Sequence, residues 1–270
     1  MTEAPCESPF EGRVIFVLGG RRTGTTWLQE LLLGHPATAG VPVEEVEPGR
    51  LDPSETVIMG ALEAVWLSAH NADREGLPAY LEHDEVIAVM RRFCDSVFAR
   101  ARDTYNPGAG WFVEKSPSNI ARLPLITSVY PDAWFIGIVR DGRDTVRSLM
   151  DSPMAPATVA DAAAEWVDVL DDLQRYRHLL RRFRQVRYEA MLDDPVAAAA
   201  DLFQWLGLAR SDEVLQAVEE RSKRQVARFG ATGPIGPGKW MQLPAHERAR
   251  IVDIAGDWLA ELGYIDPGSD

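Results

Sequence analysis

Apolar residues in this chain form two patterns, short uninterrupted runs and longer segments with helical spacing. The short runs predict buried strands, because parallel strands that are covered on both faces are apolar throughout. Segments in which apolar residues recur every three or four positions predict helices. The predicted strands are Arg13–Leu18, Thr38–Val41, Trp111–Glu114, Trp134–Val139 and Gln185–Arg187. The predicted helices are Thr26–Leu33, Val86–Arg102, Asn119–Val129, Arg143–Asp151, Ala160–Phe183, Val196–Leu206 and Ala245–Leu262.

Strands and helices alternate along the chain, and this order predicts the fold class. We expect an α/β fold of three layers, in which a parallel sheet carries helices on both faces. Ligands of such folds bind at the carboxyl ends of the strands. The chain has 270 residues, of which 46% are hydrophobic, and this is enough for one large core. We therefore predict a single domain over residues 1–270 with a flexible tail at 1–12.

Charge and cysteine content argue against several classes of function. The net charge of −13 opposes binding to nucleic acid or to anionic membranes. The two cysteines, Cys6 and Cys94, indicate neither a disulfide framework nor a cysteine-rich metal site, and no metal is expected. No apolar run is long enough to span a bilayer and no leader is recognised, so we expect a cytoplasmic location. No heptad repeat indicates an oligomeric interface.

The strongest chemical signal is a glycine loop between the first strand and the first helix, Gly-Gly-Arg-Arg-Thr-Gly-Thr-Thr-Trp over residues 19–27. A strand, a glycine loop and a helix N-terminus bind anions, because the first helical amides and the helix dipole favour negative charge. Nucleotide hydrolases carry a lysine after the second glycine of this loop. Here Thr25 stands at that position, and a cation lies earlier, at Arg22. An ordinary glycine turn with two solvated arginines is the alternative.

A second charged corner follows the strand Trp134–Val139. Arg140 ends that strand, and Ser148 follows eight residues later, about two turns along the next helix. A guanidinium can bind two phosphate oxygens at once, and a hydroxyl donates a further hydrogen bond. The two corners together predict a basic, anion-binding site in an acidic protein. The arginines concerned are Arg21, Arg22, Arg140, Arg143 and Arg147.

These corners resemble those of the sulfotransferases that use 3'-phosphoadenosine 5'-phosphosulfate (PAPS). Most of the chain is similar to the tyrosylprotein sulfotransferases and their bacterial relatives. The similar segments are Glu44-Glu45 after His35-Pro36, Trp111–Pro117, Val186–Glu189, Glu220–Val226, Gly238–Trp240 and Leu262–Tyr264. The resemblance implies a P-loop NTPase-like sulfotransferase fold, PAPS as the donor without a metal, and in-line sulfuryl transfer to a hydroxyl.

The resemblance also implies roles for individual residues. Glu45 would be the general base, with Glu44 as the alternative, because the spacing from His35-Pro36 is two residues longer than in the tyrosylprotein enzymes. Lys115 and Arg22 would stabilise the transferring group. The implied cofactor contacts are Arg21, Arg22, Thr23, Gly24, Thr25, Thr26, Arg140, Ser148, Tyr188, Ser222 and Lys239. Trp27 is interpreted as core or acceptor-pocket lining rather than as an adenine stack.

The chain departs from the tyrosylprotein pattern at two places. Ser152 stands where those enzymes carry an arginine, and Arg147 is the candidate replacement. Lys239 lies two residues farther from Ser222, which predicts a longer lid loop over residues 230–238. We expect a small-molecule or peptide hydroxyl as the acceptor, bound by residues 48–106 and 154–172. A kinase-like or non-catalytic nucleotide-binding protein is the alternative, although a kinase needs a loop lysine and an acidic Mg²⁺ ligand.

Overall fold

The computed structural model describes residues 8–42, 58–70, 77–230 and 236–266. Its centre is a five-stranded sheet with the strand order β2-β3-β1-β4-β5, and every neighbouring pair is parallel. The strands are β1 (Val14–Leu18), β2 (Thr38–Ala39), β3 (Trp111–Lys115), β4 (Trp134–Val139) and β5 (Arg182–Arg187). The predicted parallel α/β fold is confirmed.

Helices cover both faces of this sheet. In the described ranges the α-helices are α1 (Thr25–Leu32), α2 (Ile58–Ala69), α3 (His83–Tyr105), α4 (Leu123–Val129), α5 (Gly142–Met150), α6 (Val159–Tyr176), α7 (Tyr188–Asp193), α8 (Pro195–Leu206), α9 (Asp212–Gly230) and α10 (Ala245–Glu261). Short 3₁₀ helices are formed by Leu77–Ala79, Pro117–Arg122, Arg177–Leu179 and Lys239–Gln242. None of the helices described here is both long enough and apolar enough to cross a membrane.

The central strand β1 shows how the layers are built. Side chains alternate along a strand, so Val14, Phe16 and Leu18 join a core with α3 and α4. Ile15 and Val17 point the other way and join a core with α1, α8 and α9. A third apolar cluster packs α5, α6 and α10 together beside the end of β4. Because all strands are parallel, their carboxyl ends meet at one edge of the sheet, where the predicted ligand site lies.

Two predicted helices are replaced in part by other elements in the structure. The helix expected over Ala160–Phe183 ends at Tyr176, and β5 begins at Arg182. Residues 182–187 pair with the whole of β4, and this pairing outweighs the local helical spacing. The helix expected over Asn119–Val129 is a 3₁₀ helix followed by α4. Pro124 lies in the first turn of α4, where its missing N–H is tolerated.

The structure describes the predicted flexible tail at residues 1–12 only from residue 8 onward. Phe10 is fully buried and packs against Phe112, with 5.8 Å between the ring centroids. The N–H of Gly12 donates to the carboxylate of Asp132. The segment from residue 8 onward is therefore packed against the body of the protein. The single-domain organisation stays a prediction.

The segment before the predicted lid loop is helical. Glu220–Val226, which resemble a segment of the sulfotransferases, lie within α9, a regular helix that packs on α1. The sequence did not predict α9 because this segment is highly charged and few of its apolar residues are buried. Gly230 ends α9, residues 236–238 lead into the 3₁₀ helix at Lys239–Gln242, and residues 231–235 lie outside the described ranges.

Candidate active site

The glycine loop connects the carboxyl end of β1 to the first turn of α1. Gly24 takes the left-handed conformation there, with a φ of 102°, and no side chain caps the helix. A β-carbon at Gly24 would lie 2.5 Å from Cδ2 of Tyr188. Glycine is therefore required both by the backbone angle and by the close approach of the ring. The uncapped amides at the start of α1 form an anion-binding arrangement of the kind that the sequence predicts.

Arg22 joins the two charged corners. Its Nε donates to Oγ of Ser148 over 3.0 Å, and its carbonyl oxygen accepts from Nη1 of Arg140, also over 3.0 Å. Its φ is 65°, and within the described ranges no other non-glycine residue has a positive φ. This conformation costs on the order of 1 kcal/mol and is common at functional sites. The sequence places the three residues at one sheet edge, and the structure brings them into direct contact.

The ring of Tyr188 packs against Arg140. The guanidinium carbon of Arg140 lies 4.5 Å from the ring centroid. Burial raises the pKa of the Tyr188 phenol, and the charge of Arg140 opposes that shift. Trp27 packs edge-on against the same ring at 5.8 Å between centroids and is 2% exposed, in agreement with its interpretation as a core residue. Tyr188 therefore links the loop, the second corner and the core.

Three cations at this edge have no carboxylate partner within the described residues. They are Arg22, Arg140 and Lys239, the first residue of the last 3₁₀ helix. Burial lowers the pKa of both Arg22 and Lys239, and repulsion from Arg140 lowers both further. Neighbouring like charges that form no ion pair with a described carboxylate favour an anionic ligand.

The other arginines that the sequence grouped with these have carboxylate partners. Arg21 forms two hydrogen bonds with Glu165 of α6, at 2.8 and 2.6 Å. Arg143 pairs with Asp141 at 2.7 Å. The local excess of positive charge is thus smaller than predicted and is concentrated in Arg22, Arg140 and Lys239. The assignment of Arg21 as a cofactor contact stays a prediction.

The candidate replacement for the missing family arginine is also paired. Nε of Arg147 donates to Oδ2 of Asp151 over 3.1 Å. The hydroxyl of Ser152 donates to the carbonyl oxygen of Leu149 over 2.7 Å. The guanidinium of Arg147 is thus paired with a carboxylate, so the structure does not favour Arg147 as a substitute contact.

The predicted catalytic residues fall partly within the described ranges. Lys115 is fully buried at the carboxyl end of β3, beside Val17 of β1 in the sheet register. The neighbouring Glu114 is buried too and accepts a hydrogen bond from Nδ2 of Asn119. Lys115 and Arg140 thus end the two strands that flank β1. Glu45 and its alternative Glu44 lie outside the described residues.

The remaining predicted contacts come from the loop, α1 and α9. The hydroxyl of Thr23 donates to the carbonyl oxygen of Gly20 over 2.7 Å, so this side chain closes the loop. Thr25 and Thr26 are the first residues of α1. Ser222 is buried on α9, and the adjacent Arg221 pairs with Glu30 of α1 at 2.8 Å. The ion pair ties the helix that carries Ser222 to the helix that begins at the loop.

Sequence reasoning missed one buried residue beside the site, Asp144. It lies on α5, one turn before Ser148, and its carboxylate accepts from the N–H of Gly238 at 2.7 Å and of Trp240 at 3.0 Å. These amides flank Lys239. The four-residue spacing from Ser148 places both side chains on one helix face and is the signal that could have identified it.

A cavity of about 300 Å³ lies between α6 and the 3₁₀ helix Pro117–Arg122. A β-carbon at Gly20 would lie 3.3 Å from Val169, which lines this cavity, so the cavity adjoins the loop. The lining residues are Pro117, Ile120, Ala121, Asp161, Ala164, Glu165, Asp168, Val169 and Asp172. Its α6 wall falls within residues 154–172, one of the two segments predicted to bind the acceptor.

Known proteins share this arrangement of elements. The sequence profile described as "Sulfotransferase family" matches residues 14–212. Protein-tyrosine sulfotransferase 1 of Danio rerio is 24% identical over 276 residues, covering 94% of this chain and 72% of that protein. Omega-hydroxy-beta-dihydromenaquinone-9 sulfotransferase Stf3 of Mycobacterium bovis is 25% identical over 249 residues, covering 72% of this chain and 62% of that protein.

A solved structure shows the same fold. Mouse sulfotransferase SULT7A1, in complex with PAP, superimposes with a TM-score of 0.56 at 13% identity, covering 96% of this chain and 93% of that one. At this identity the likeness concerns the fold alone.

Proposed function

The chain belongs to the sulfotransferase family, and from that premise we propose that it transfers a sulfuryl group from PAPS to a hydroxyl acceptor. The observation that carries the choice of donor is the group of Arg22, Arg140 and Lys239. These cations lie beside the uncapped N-terminus of α1 and have no carboxylate partner among the described residues. A nucleotide with several phosphate charges would neutralise them. The nearby ring of Tyr188 suits its aromatic base.

The donor contacts follow from positions in the fold and from the family resemblance. We assign the 3'-phosphate to Arg140 and Ser148. The loop would bind the 5' side through the guanidinium of Arg22 and the amides of Gly24, Thr25 and Thr26. The contacts assigned to the rest of the nucleotide are Tyr188, Ser222 and Lys239. Arg21 and Thr23 keep their predicted place in the loop, although their side chains bind Glu165 and Gly20.

The chemistry requires a base and positive charge. We assign the acceptor proton to Glu45, with Glu44 as the alternative, and the stabilisation of developing negative charge to Lys115 and Arg22. The bond from sulfur to the acceptor oxygen forms as the bond from sulfur to the phosphate oxygen breaks. The bisphosphate leaves with the electron pair. As in phosphoryl transfer, positioning and electrostatics supply most of the catalysis.

The acceptor is proposed to be a small-molecule or peptide hydroxyl. One relative is named for protein tyrosine and another for an omega-hydroxy menaquinone derivative. The cavity beside the loop is the place where we expect such a hydroxyl to enter. A kinase function is not favoured, because Thr25 occupies the position of the phosphate-loop lysine.

Transfer of radiolabelled sulfur from PAPS tests this proposal. The acceptors are a tyrosine-containing peptide, a simple phenol and a long-chain primary alcohol, and released inorganic sulfate is counted separately. We expect label in at least one acceptor and its loss in Arg22→Ala. Phosphoryl transfer from ATP with Mg²⁺, with no sulfuryl transfer to any acceptor, would contradict the proposal.

A further inference from the structure

Asp144 is an acidic residue buried beside an anion-binding site. Its side chain lies in the first turn of α5 and is 1% exposed. Burying a carboxylate is costly unless hydrogen bonds replace its water. Both of its oxygens have such bonds, because Oδ2 accepts from the N–H of Gly238 over 2.7 Å and Oδ1 from the N–H of Trp240 over 3.0 Å. The carboxylate therefore holds backbone from a segment 94 to 96 residues away in the chain.

The two amides that Asp144 holds flank Lys239. Gly238 has a φ of 87°, and the 3₁₀ helix Lys239–Gln242 starts directly after it. Arg143, the neighbour of Asp144, lies over the ring of Trp240 at 4.2 Å. Two successive residues of α5 thus fix the same segment, one through its backbone and the other through its aromatic ring. Ser148, which binds Arg22, lies one turn farther along α5.

A negative charge at this position would by itself oppose the binding of a phosphate. A neutral side chain could also accept hydrogen bonds from these backbone amides. A carboxylate at this position therefore calls for a benefit that offsets its repulsion of the phosphate. The benefit that the structure offers is the location of Lys239, which has no carboxylate partner within the described residues. The charges that act on its ammonium are those of Arg140 and Arg22, which lower its pKa, and those of Asp151 and Asp144, which oppose this shift.

We propose that Asp144 is a positioning residue that sets Lys239 in the donor site by binding the amides on either side of it. This inference rests on the proposed function, since it assumes that the cations bind an adenosine phosphate. The inference goes beyond the proposed function because Asp144 is placed outside the donor and acceptor contacts and acts through Lys239. The expected signature is energetic coupling between the two residues in donor binding.

A double-mutant cycle measures this coupling. Adenosine 3',5'-bisphosphate is titrated calorimetrically into wild type, Asp144→Ala, Lys239→Ala and the double variant. We expect each single change to weaken binding roughly 10- to 100-fold, the effect of losing one hydrogen bond to a charged group. In the Lys239→Ala background, Asp144→Ala should have almost no further effect. Additive losses, or tighter binding by Asp144→Ala, would overturn the inference.

Two further variants separate positioning from general stability. Asp194 caps α8 by accepting from the N–H of Ala197 over 2.9 Å, so Asp194→Ala should lower the free energy of unfolding and leave bisphosphate affinity unchanged. Asp144→Asn keeps the size of the side chain and one acceptor oxygen, and it decides the question if Asp144→Ala does not fold. Asp144→Asn that folds and binds as wild type would contradict the inference.

The same titrations distinguish two kinds of failure. Wild-type binding that falls in Arg140→Ala but not in the Asp144 variants would overturn the role of Asp144 alone. No binding to wild type would overturn the proposed donor together with the inference built on it.

Discussion

Nη1 of Arg140 donates to the carbonyl oxygen of Arg22 over 3.0 Å, so one cation of the site holds the backbone that presents the other. The link joins the glycine loop after β1 to the corner after β4. Arg140 in turn packs on Tyr188, whose ring also touches the loop at Gly24. The donor site that we propose is therefore one connected unit, and changes at one of its residues should reach the others.

The positive φ of Arg22 predicts that two truncations of its side chain differ in stability. Arg22→Gly removes the backbone strain that Arg22→Ala keeps, since φ is 65°. We expect Arg22→Gly to have a free energy of unfolding about 1 kcal/mol higher than that of Arg22→Ala. Both should lose bisphosphate affinity to a similar degree because both lack the guanidinium. Denaturant unfolding checks the first part, and equal stabilities would show that the loop relaxes.

Substitutions at Gly24 and Gly108 form a matched pair that tests the close approach of Tyr188 to the glycine loop. Both have a positive φ, 102° and 89°, but a β-carbon meets the Tyr188 ring at 2.5 Å only at Gly24. Gly108→Ala should cost about 1 kcal/mol in stability and leave bisphosphate binding intact. Gly24→Ala should cost more and weaken binding at least about tenfold, because the ring or the loop must move. Wild-type affinity in a folded Gly24→Ala protein would show that the loop is not the binding element.

The lowered pKa of Lys239 predicts how bisphosphate affinity depends on pH. Burial and Arg140 lower the pKa of Lys239, so its charge is present at low pH and is lost as the pH rises through that lowered value. Affinity should therefore begin to fall at a lower pH than an ordinary lysine would give. The other charged groups that act on Lys239 are Arg22, which lowers its pKa further, and Asp144 and Asp151, which oppose that shift.

Lys239→Arg is the matched control for this pH effect. An arginine stays protonated throughout, so the alkaline decline in affinity should flatten. Tyr188 does not account for the decline, because burial raises its pKa. A decline of the same size in Lys239→Arg would assign it to another group.

The general base is tested at Glu45 with Glu44 as its neighbour control. Glu45→Gln should lower the rate of sulfuryl transfer by about 10² to 10⁴ and leave bisphosphate affinity unchanged. Glu44→Gln should have little effect on either quantity. If the two variants exchange these results, the base is Glu44. If neither loses activity, the acceptor proton goes elsewhere.

Much of this fold could be predicted because the strands are uninterrupted apolar runs. β1 and β4 are buried on both faces, and their bounds follow from composition alone. β5 is an exposed edge strand rich in arginine, and only its pairing with β4 shows that it starts at Arg182. Helix α9 could not be predicted from the spacing of apolar residues, since few of its residues face the core.

The two charged corners were predictable because each is a local motif at a strand end. The ion pairs of their arginines were not all predictable, because the partner of Arg21 is distant in sequence, whereas Arg143 and Arg147 pair with the nearby Asp141 and Asp151. Glu165 lies 144 residues from Arg21, and nothing in the loop indicates that this ion pair forms. The position of Asp144 beside the site was not predicted either, because the amides that it binds belong to a segment near the end of the chain.

The most direct test of the account is a calorimetric titration of adenosine 3',5'-bisphosphate, beside ATP with Mg²⁺, into wild type and Arg140→Ala. We predict metal-independent binding of the bisphosphate by wild type and a loss of roughly 10- to 100-fold in a folded Arg140→Ala protein. A preference for ATP with Mg²⁺, or equal bisphosphate affinity in the two proteins, would contradict the donor site described here.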